Sequence, residues 1–150
     1  MERAKILIRF VLVNSLRMEM AINNHSNTGE EDPLNFCAAF SKGETRSIRS
    51  ERLSDFLPLI GQASIAWIDC IVEDFQKDVS ESASTIGFSD TLVQRLLESF
   101  IAHTRVRGGY EDFDNEIGLV IPEIHIKGIE VTIEPIFILL KQNLMMTIHS

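Results

Sequence analysis

Four acidic residues lie close together near position 113 and form the densest candidate site for chemistry in the chain. They are Glu111, Asp112, Asp114 and Glu116. Mg²⁺ and Ca²⁺ are hard cations that prefer carboxylate oxygens, so this spacing could hold a divalent metal. Alternation along a strand predicts that Asp112, Asp114 and Glu116 share one face and that Glu111 lies on the other. We take Asp112, Asp114 and Glu111 as the candidate metal ligands.

The same acidic cluster has two structural explanations that the sequence leaves open. Negative charges at the edge of a sheet keep that edge from pairing with another strand. Arg105 and Arg107 lie just upstream and could form local salt bridges with the carboxylates. A metal site, a solvated strand edge and a set of ion pairs are therefore all compatible with these residues.

Other residue types that carry chemistry are scattered or lack a motif. Asp69 follows a buried strand, where ligands bind in many α/β sheets, but we expect it to cap the next helix. Four histidines lack the i, i+4 spacing of a metalloprotease helix. They are His25, His103, His125 and His149. Cys37 and Cys70 lie in apolar segments and are expected to be buried thiols. No catalytic or cofactor-binding residue is predicted, and we do not expect an enzyme.

The composition is that of one globular domain. The chain has 150 residues, 45% of them hydrophobic and 24% charged, which is enough for one sizeable core. It carries 14 Lys and Arg residues against 22 Asp and Glu residues, a net charge of −8. This charge argues against a nucleic-acid partner and against an anionic membrane surface. No apolar run reaches the ~20 residues that a membrane-spanning helix needs.

The chain divides into two parts near position 33. Residues 1–33 combine an apolar stretch with a polar, turn-rich run, and they are predicted to form a flexible N-terminal extension. The alternative is that residues 6–13 form a helix or strand that packs on the domain or on a neighbour. Residues 34–150 are predicted to form the folded domain.

The pattern within residues 34–150 predicts the order β-β-α-β-α-α, followed by several strands. Residues 64–71 are almost continuously apolar, as in a central strand. The helix that follows is expected to end before Gly87. Pro135 is predicted to break a later strand. The fold class is α/β, in the sense of an α+β layered domain: a mixed β-sheet with helices packed on its faces.

Three segments, in this order and spacing, resemble one family. Trp67-Ile68-Asp69 closes the buried strand, and residues 110–115 (Tyr-Glu-Asp-Phe-Asp-Asn) lead into another apolar strand. Residues 136–149 form a closing hairpin that ends in Thr147-Ile148-His149. Together they resemble the N-terminal cytoplasmic domain of the CorA-type magnesium and cobalt transporters. Typical segments of that family are W-I-D, Y-E-D-Y-D-N-Y and T-I-H or V-T-V-H.

The resemblance implies a regulatory, metal-sensing domain of a divalent-cation transporter. In that family, intracellular Mg²⁺ between neighbouring subunits holds the pore closed. The resemblance thus implies Mg²⁺ or Co²⁺ as a regulatory ligand, a homopentamer, and a place on the cytoplasmic side of the cell membrane. The family continues into a stalk helix and two membrane helices with a Gly-Met-Asn loop. These segments are missing here, so we expect a soluble fragment whose link to the membrane runs through them.

One pair of residues departs from the family pattern. Family members often carry adjacent Glu and Asp in the helix over residues 90–100, where this chain has Gln94 and Arg95. A cation at this place repels Mg²⁺, which puts the usual regulatory site in doubt. Two alternatives follow: a structural scaffold domain of such a transporter that binds no metal, and a standalone metal-dependent enzyme that uses Asp112 and Asp114.

Overall fold

A seven-stranded sheet organises the part of the chain that the structure describes. The structure is a computed structural model, and it describes residues 35–102 and 108–150. The strands are β1 (Asn35–Ser41), β2 (Glu44–Ser50), β3 (Ile65–Ile71), β4 (Gly109–Phe113), β5 (Glu116–Lys127), β6 (Glu130–Lys141) and β7 (Leu144–His149). Their order in the sheet is β2-β1-β3-β7-β6-β5-β4. The β3–β7 pair is parallel and the remaining described pairs are antiparallel, so the sheet is mixed.

Short helices connect the strands in the predicted order. They are a 3₁₀ helix (Leu53–Phe56), α1 (Leu57–Gly61), α2 (Phe75–Ile86) and α3 (Asp90–Ala102). Pro58 lies in the first turn of α1, where its missing N–H has no partner to lose, so the α-helix starts there. Gly87 ends α2 with φ of 92°, a left-handed conformation that favours glycine. The predicted end of this helix is confirmed.

The core lies on the face of the sheet that α2 and α3 cover. Ile68 of β3 and Phe137 of β6 are completely buried there, and so are Val79 of α2 and Leu92 of α3. Residues of the opposite face, such as Trp67, are half-buried. The predicted class, a mixed sheet with helices packed against it, is confirmed.

Pro135 does not break its strand, and that prediction is wrong. Strand β6 runs from Glu130 to Lys141, and Pro135 faces Pro122 of β5 in the register. Antiparallel partners alternate between pairs that exchange hydrogen bonds and pairs that do not. Lys127 and Glu130 flank the two-residue turn and form a hydrogen-bonded pair. Alternation from this pair makes Pro122 and Pro135 a pair without hydrogen bonds. Neither proline therefore removes a hydrogen bond between the two strands.

Some predictions lie outside the described residues. They concern the N-terminal extension over residues 1–33, the histidines His25 and His103, and the salt bridges from Arg105 and Arg107.

Candidate functional site

The two parallel strands in the middle of the sheet carry four polar or amphipathic residues on the face opposite the core. Trp67 and Asp69 lie on β3, Thr147 and His149 lie on β7, and Asp69 faces Thr147 in the register. The indole Nε1 of Trp67 donates to Thr147 Oγ1 at 3.2 Å, and this hydroxyl donates to Asp69 Oδ1. His149 Nε2 lies 3.3 Å from Asp69 Oδ1. We call these four residues the central cluster.

Asp69 and His149 stabilise each other's charged forms. Burial alone would raise the pKa of Asp69, but hydrogen bonds from His149 and Thr147 outweigh it, and the net pKa is lowered. The hydrogen bond to Asp69 raises the pKa of His149 above its ordinary value, although partial burial opposes this. Both pKa shifts therefore favour the charged pair.

The central cluster joins two strands and does not activate a nucleophile. A hydroxyl has one proton to donate, and that of Thr147 is directed at Asp69 or at the carbonyl oxygen of Ile68, 3.2 Å away. A Ser-His-Asp type of relay needs the hydroxyl to donate to the imidazole. In this cluster the hydroxyl and the imidazole both bind the same carboxylate.

Asp69 does not cap the next helix, so that prediction is wrong. Strand β3 continues to Ile71, and α2 begins at Phe75. The N-cap of α2 is Asp74, whose carboxylate accepts hydrogen bonds from the N–H groups of Gln76 and Lys77 at 3.1 and 3.3 Å. The capping role therefore belongs to a carboxylate five residues further along the chain.

The candidate metal ligands lie in the hairpin of β4 and β5. Asp114 is in the two-residue turn and has φ of 57°. Asp112 lies on the sheet face opposite the core, where the hydroxyl of Tyr110 donates to it at 3.3 Å. Glu111 lies on the core side. The predicted common face of Asp112, Asp114 and Glu116 is wrong because the turn reverses the chain between them.

The three candidate ligands differ in exposure as well as in direction. Asp112 and Asp114 are exposed, whereas Glu111 is half-buried. Within residues 35–102 and 108–150, no group of three or more His, Cys, Asp or Glu side chains could hold a metal ion. Metal binding by these residues stays a prediction.

Glu116, the fourth acidic residue, connects the hairpin to the helical layer. It is 7% exposed, and its Oε2 accepts from the backbone N–H of Ser89 at 2.8 Å, just before α3 begins. Its Oε1 lies 3.0 Å from Lys141 Nζ, which also donates to the carbonyl oxygen of Gly87. A negative charge at a helix N-terminus is favourable, so Glu116 has a structural role.

The two residues that depart from the family pattern both lie on α3. Gln94 Nε2 donates to Ser80 Oγ of α2 at 3.3 Å. The guanidinium carbon of Arg95 lies 5.2 Å from the ring centre of Phe113, at the end of β4. Arg95 therefore packs on β4 from the side of the helices, whereas Asp112 lies on the other face of that strand.

The contacts of the central cluster are missing from the predictions made on sequence. The sequence contains one signal for them. Trp67 and Asp69 lie two positions apart in one largely apolar run, and Thr147 and His149 lie two positions apart in another. Such a period of two predicts that each pair shares a face of its strand. Sequence patterns do not show that the two strands are neighbours, because their parallel pairing joins residues that are 78 and 80 positions apart in the chain.

No helix among the described residues is long and apolar enough to cross a membrane.

No model of a protein family and no curated protein matches the chain. Among solved structures, the chain is similar to the soluble domain of CorA from Methanocaldococcus jannaschii, with 16% identity and a TM-score of 0.45. The match covers 81% of this chain and 42% of that chain, so it spans less than half of that chain's length.

Proposed function

We propose that the chain is the cytoplasmic domain of a CorA-like divalent-cation transporter. The supporting observation is the contact between two of the three segments that carry the sequence resemblance. Trp67 and Asp69 of the W-I-D segment both bind Thr147 of the T-I-H segment, and Asp69 pairs with His149. Residues that depend on each other in the fold are a stronger basis for a resemblance than unconnected matches.

In this proposal the domain regulates transport and is not itself an enzyme. It belongs to a homo-oligomer, a pentamer in the intact transporter, on the cytoplasmic side of the cell membrane. The transporter's helices make its link to the membrane. Nucleic acid is not a partner, since the net charge of the chain is −8.

We further propose that Mg²⁺ or Co²⁺ acts as a regulatory ligand at Asp112, Asp114 and Glu111. Asp112 and Asp114 are exposed on a hairpin, so their charges repel any acidic surface that approaches them. A divalent cation that neutralises this repulsion between subunits biases the assembly toward one arrangement. In this proposal, cation binding changes the charge at the hairpin and thereby changes the preferred arrangement of the subunits.

One observation favours a second candidate, a scaffold domain that binds no metal. The guanidinium of Arg95 already stacks on Phe113, between Asp112 and Asp114 in the chain. A resident positive charge next to the hairpin makes it a poorer place for a second cation. The charge swap Arg95→Asp distinguishes the candidates, because a divalent-dependent gain of stability in this variant alone indicates a site that Arg95 suppresses.

Thermal unfolding of the full chain tests metal sensing. The midpoint is measured with EDTA, then with excess Mg²⁺ or Co²⁺ at matched ionic strength. A ligand at about 100 times its Kd stabilises a fold by about 2.7 kcal/mol. For 150 residues this raises the midpoint by roughly 5 to 11 °C.

The variants Asp112→Asn and Asp114→Asn should each reduce the metal-dependent shift. Asparagine is tolerated at positive φ, so Asp114→Asn keeps the turn. Glu98→Gln, on the exposed side of α3, is the matched control because it removes the same charge elsewhere. A midpoint that does not respond to either metal contradicts sensing by the single chain and favours the scaffold.

The proposal that the chain is the cytoplasmic domain of a transporter has its own test. The chain is fused to the stalk and membrane helices of a CorA-type transporter in place of that protein's cytoplasmic domain. We expect the fusion to restore growth of a magnesium-transport-deficient bacterium. Expression of a folded fusion at the membrane without any Mg²⁺ uptake contradicts the proposal.

A further inference from the structure

A polar cleft lies where the start of β1 and the end of β3 meet the helical layer. Its volume is about 430 Å³, which is within the range of small-molecule sites. Asn35 of β1 and Cys70 of β3 line it on the side of the sheet. The residues that follow β2, those that follow β3 and one side of α2 line the rest. We call this space the end cleft.

The walls of the end cleft are rich in carboxylates. Glu51 follows β2, and Glu73 follows β3. The lining residues of α2 are spaced by three and four positions, so they form one polar stripe along the helix. They are Asp78, Glu81, Ser82 and Thr85. Four carboxylates therefore belong to the lining of one cleft, although they come from three separate segments.

The charge of the end cleft favours a cation. Arg52 is the one Lys or Arg among the described residues that line it. Its guanidinium is already paired, since Nη2 lies 3.2 Å from Asp55 Oδ1. Negative charge that lines a cleft raises the local concentration of cations.

One buried residue of the end cleft has an unsatisfied acceptor. Asn35 is 6% exposed and lies on the helix-covered face of β1, because it alternates with the buried Cys37 and Ala39. Its Nδ2 donates to the carbonyl oxygen of Glu51 at 3.0 Å, which orients the amide. Its Oδ1 has no hydrogen-bond partner in the part of the chain that the structure describes. A buried amide oxygen without a donor is costly, so this atom favours a ligand that brings an N–H group.

The arrangement of the acceptors suits an organic cation better than a metal ion. No group of three or more His, Cys, Asp or Glu side chains within residues 35–102 and 108–150 could hold a metal ion, so the carboxylates of the end cleft do not converge on one point. Burial raises the pKa of the Cys70 thiol to about 11, so at neutral pH it is not a thiolate ligand. Separated carboxylates match a ligand whose positive charges are also separated. An ammonium group donates three hydrogen bonds and can bind an amide oxygen and a carboxylate together.

We propose that the end cleft binds an aliphatic di- or polyamine. One ammonium group donates to Asn35 Oδ1, and another lies among the carboxylates of α2. The methylene groups between them contact Leu53 and Val72, two buried apolar residues of the lining. None of the lining residues belongs to the hairpin of β4 and β5, so this site does not rest on the proposed function.

Isothermal titration calorimetry of the full chain with spermidine, at constant ionic strength, tests this proposal. We expect one equivalent of spermidine to bind with a Kd below about 1 mM. Asn35→Ala should raise this Kd about tenfold or more, because a hydrogen bond to a charged group is lost. Glu81→Gln should raise it about two- to fivefold, since Glu81 is exposed. Glu98→Gln is the matched control, because it removes the same charge from α3, and it should leave the Kd unchanged.

Circular dichroism checks that the variants fold, and Glu81→Gln keeps the test decisive if Asn35→Ala does not. Spermidine that fails to bind up to about 10 mM overturns the proposal. Equal weakening by Glu81→Gln and Glu98→Gln also overturns it, because the attraction then comes from the net charge of −8.

Two further titrations separate a polyamine from other cations. Butylamine carries a single ammonium group, as a lysine side chain does, and it should bind at least tenfold more weakly than spermidine. Equal affinity overturns the assignment to a polyamine. Mg²⁺ at the same ionic strength should not displace spermidine, and displacement would assign the cleft to a metal ion instead. Neither result depends on whether Mg²⁺ binds at the hairpin of β4 and β5.

Discussion

His149 Nε2 lies 3.3 Å from Asp69 Oδ1, and this contact joins the ends of the two parallel strands at the middle of the sheet. The same carboxylate accepts the hydroxyl proton of Thr147, which in turn accepts the indole N–H of Trp67. Parallel strands are far apart in sequence, so each contact closes a long loop. The central cluster therefore stabilises the pairing of β3 with β7, which has a high entropic cost because it closes a long loop.

The Asp69–His149 pair makes stability depend on pH. The pKa of His149 is raised in the folded chain, so its contribution is full below about pH 6.5 and is lost as the pH rises through the raised pKa. The pKa of Asp69 is lowered, so its contribution is lost as the pH falls through that lowered value. Between these limits His149→Gln should cost about 0.5 to 1 kcal/mol, since both side chains are partly exposed.

Urea unfolding of wild type and His149→Gln between pH 5 and pH 8 checks this expectation. The difference in the free energy of unfolding should shrink as the pH rises. Asp69→Asn should flatten the same pH dependence, because His149 then has no carboxylate partner. A difference that is constant from pH 5 to pH 8 contradicts the role of the pair.

Thr147 is expected to couple to Trp67. Thr147→Val keeps the shape of the side chain and leaves the indole N–H and the carboxylate without their shared partner. Loss of a partly buried hydrogen bond costs about 1 to 2 kcal/mol. In a double-mutant cycle with Trp67→Phe, the two losses should sum to more than the loss in the double variant. Thr132→Val, at an exposed position of β6, is the control. Additive losses at Thr147 and Trp67 would refute the coupling.

Much of the sheet could be predicted from short-range patterns. Lys42-Gly43 makes the turn between β1 and β2, the first two strands of the predicted order, with φ of 51° and 85°. Gly87 ends α2 as expected. These features succeed because the residue itself determines the local backbone conformation. The central cluster and the position of Pro135 depend on register between strands, which single-strand patterns do not contain.

The acidic hairpin shows the same limit. Asp114 and Asn115 form a two-residue turn, so residues 110–113, expected only to lead into the next strand, form the strand β4 that pairs with β5. The sequence therefore locates the acidic cluster near position 113, but it does not predict the directions of the side chains correctly. Burial of Glu116 against Lys141 could not be inferred from charge alone, since it needs the neighbouring strand β6.

Glu116→Gln should destabilise the fold although it removes a charge from an acidic chain. The amide keeps an acceptor for the N–H of Ser89 and loses the ion pair with Lys141. Because the Lys141 side chain is 36% exposed, the expected cost is about 1 to 2 kcal/mol and not the larger cost of a fully buried pair. Chemical unfolding at pH 7 measures it. Glu98→Gln should be nearly neutral, and equal effects of the two variants would exclude a structural role for Glu116.

Gly118 is expected to be intolerant of a methyl group because α3 lies directly over it. A Cβ at Gly118 would lie 3.0 Å from Leu96 Cγ and 3.3 Å from Leu92 Cδ1, and it would overlap Leu96 Cδ1. Leu92 and Leu96 are both completely buried, so neither side chain can give way by turning into solvent. Gly118→Ala should therefore cost about 1 to 3 kcal/mol through overpacking.

Gly61→Ala is the matched control for Gly118→Ala, because no atom from outside its own stretch of helix lies within 4 Å of its Cβ position. It should be neutral or stabilising by about 0.4 to 1 kcal/mol, since it reduces the entropy of the unfolded chain. A second variant separates overpacking from loss of backbone freedom. Leu96→Ala alone leaves a cavity, but in the Gly118→Ala background it also removes the clash, so its cost should be smaller there. Equal costs of Leu96→Ala in the two backgrounds would mean that the helix does not press on the sheet at this point.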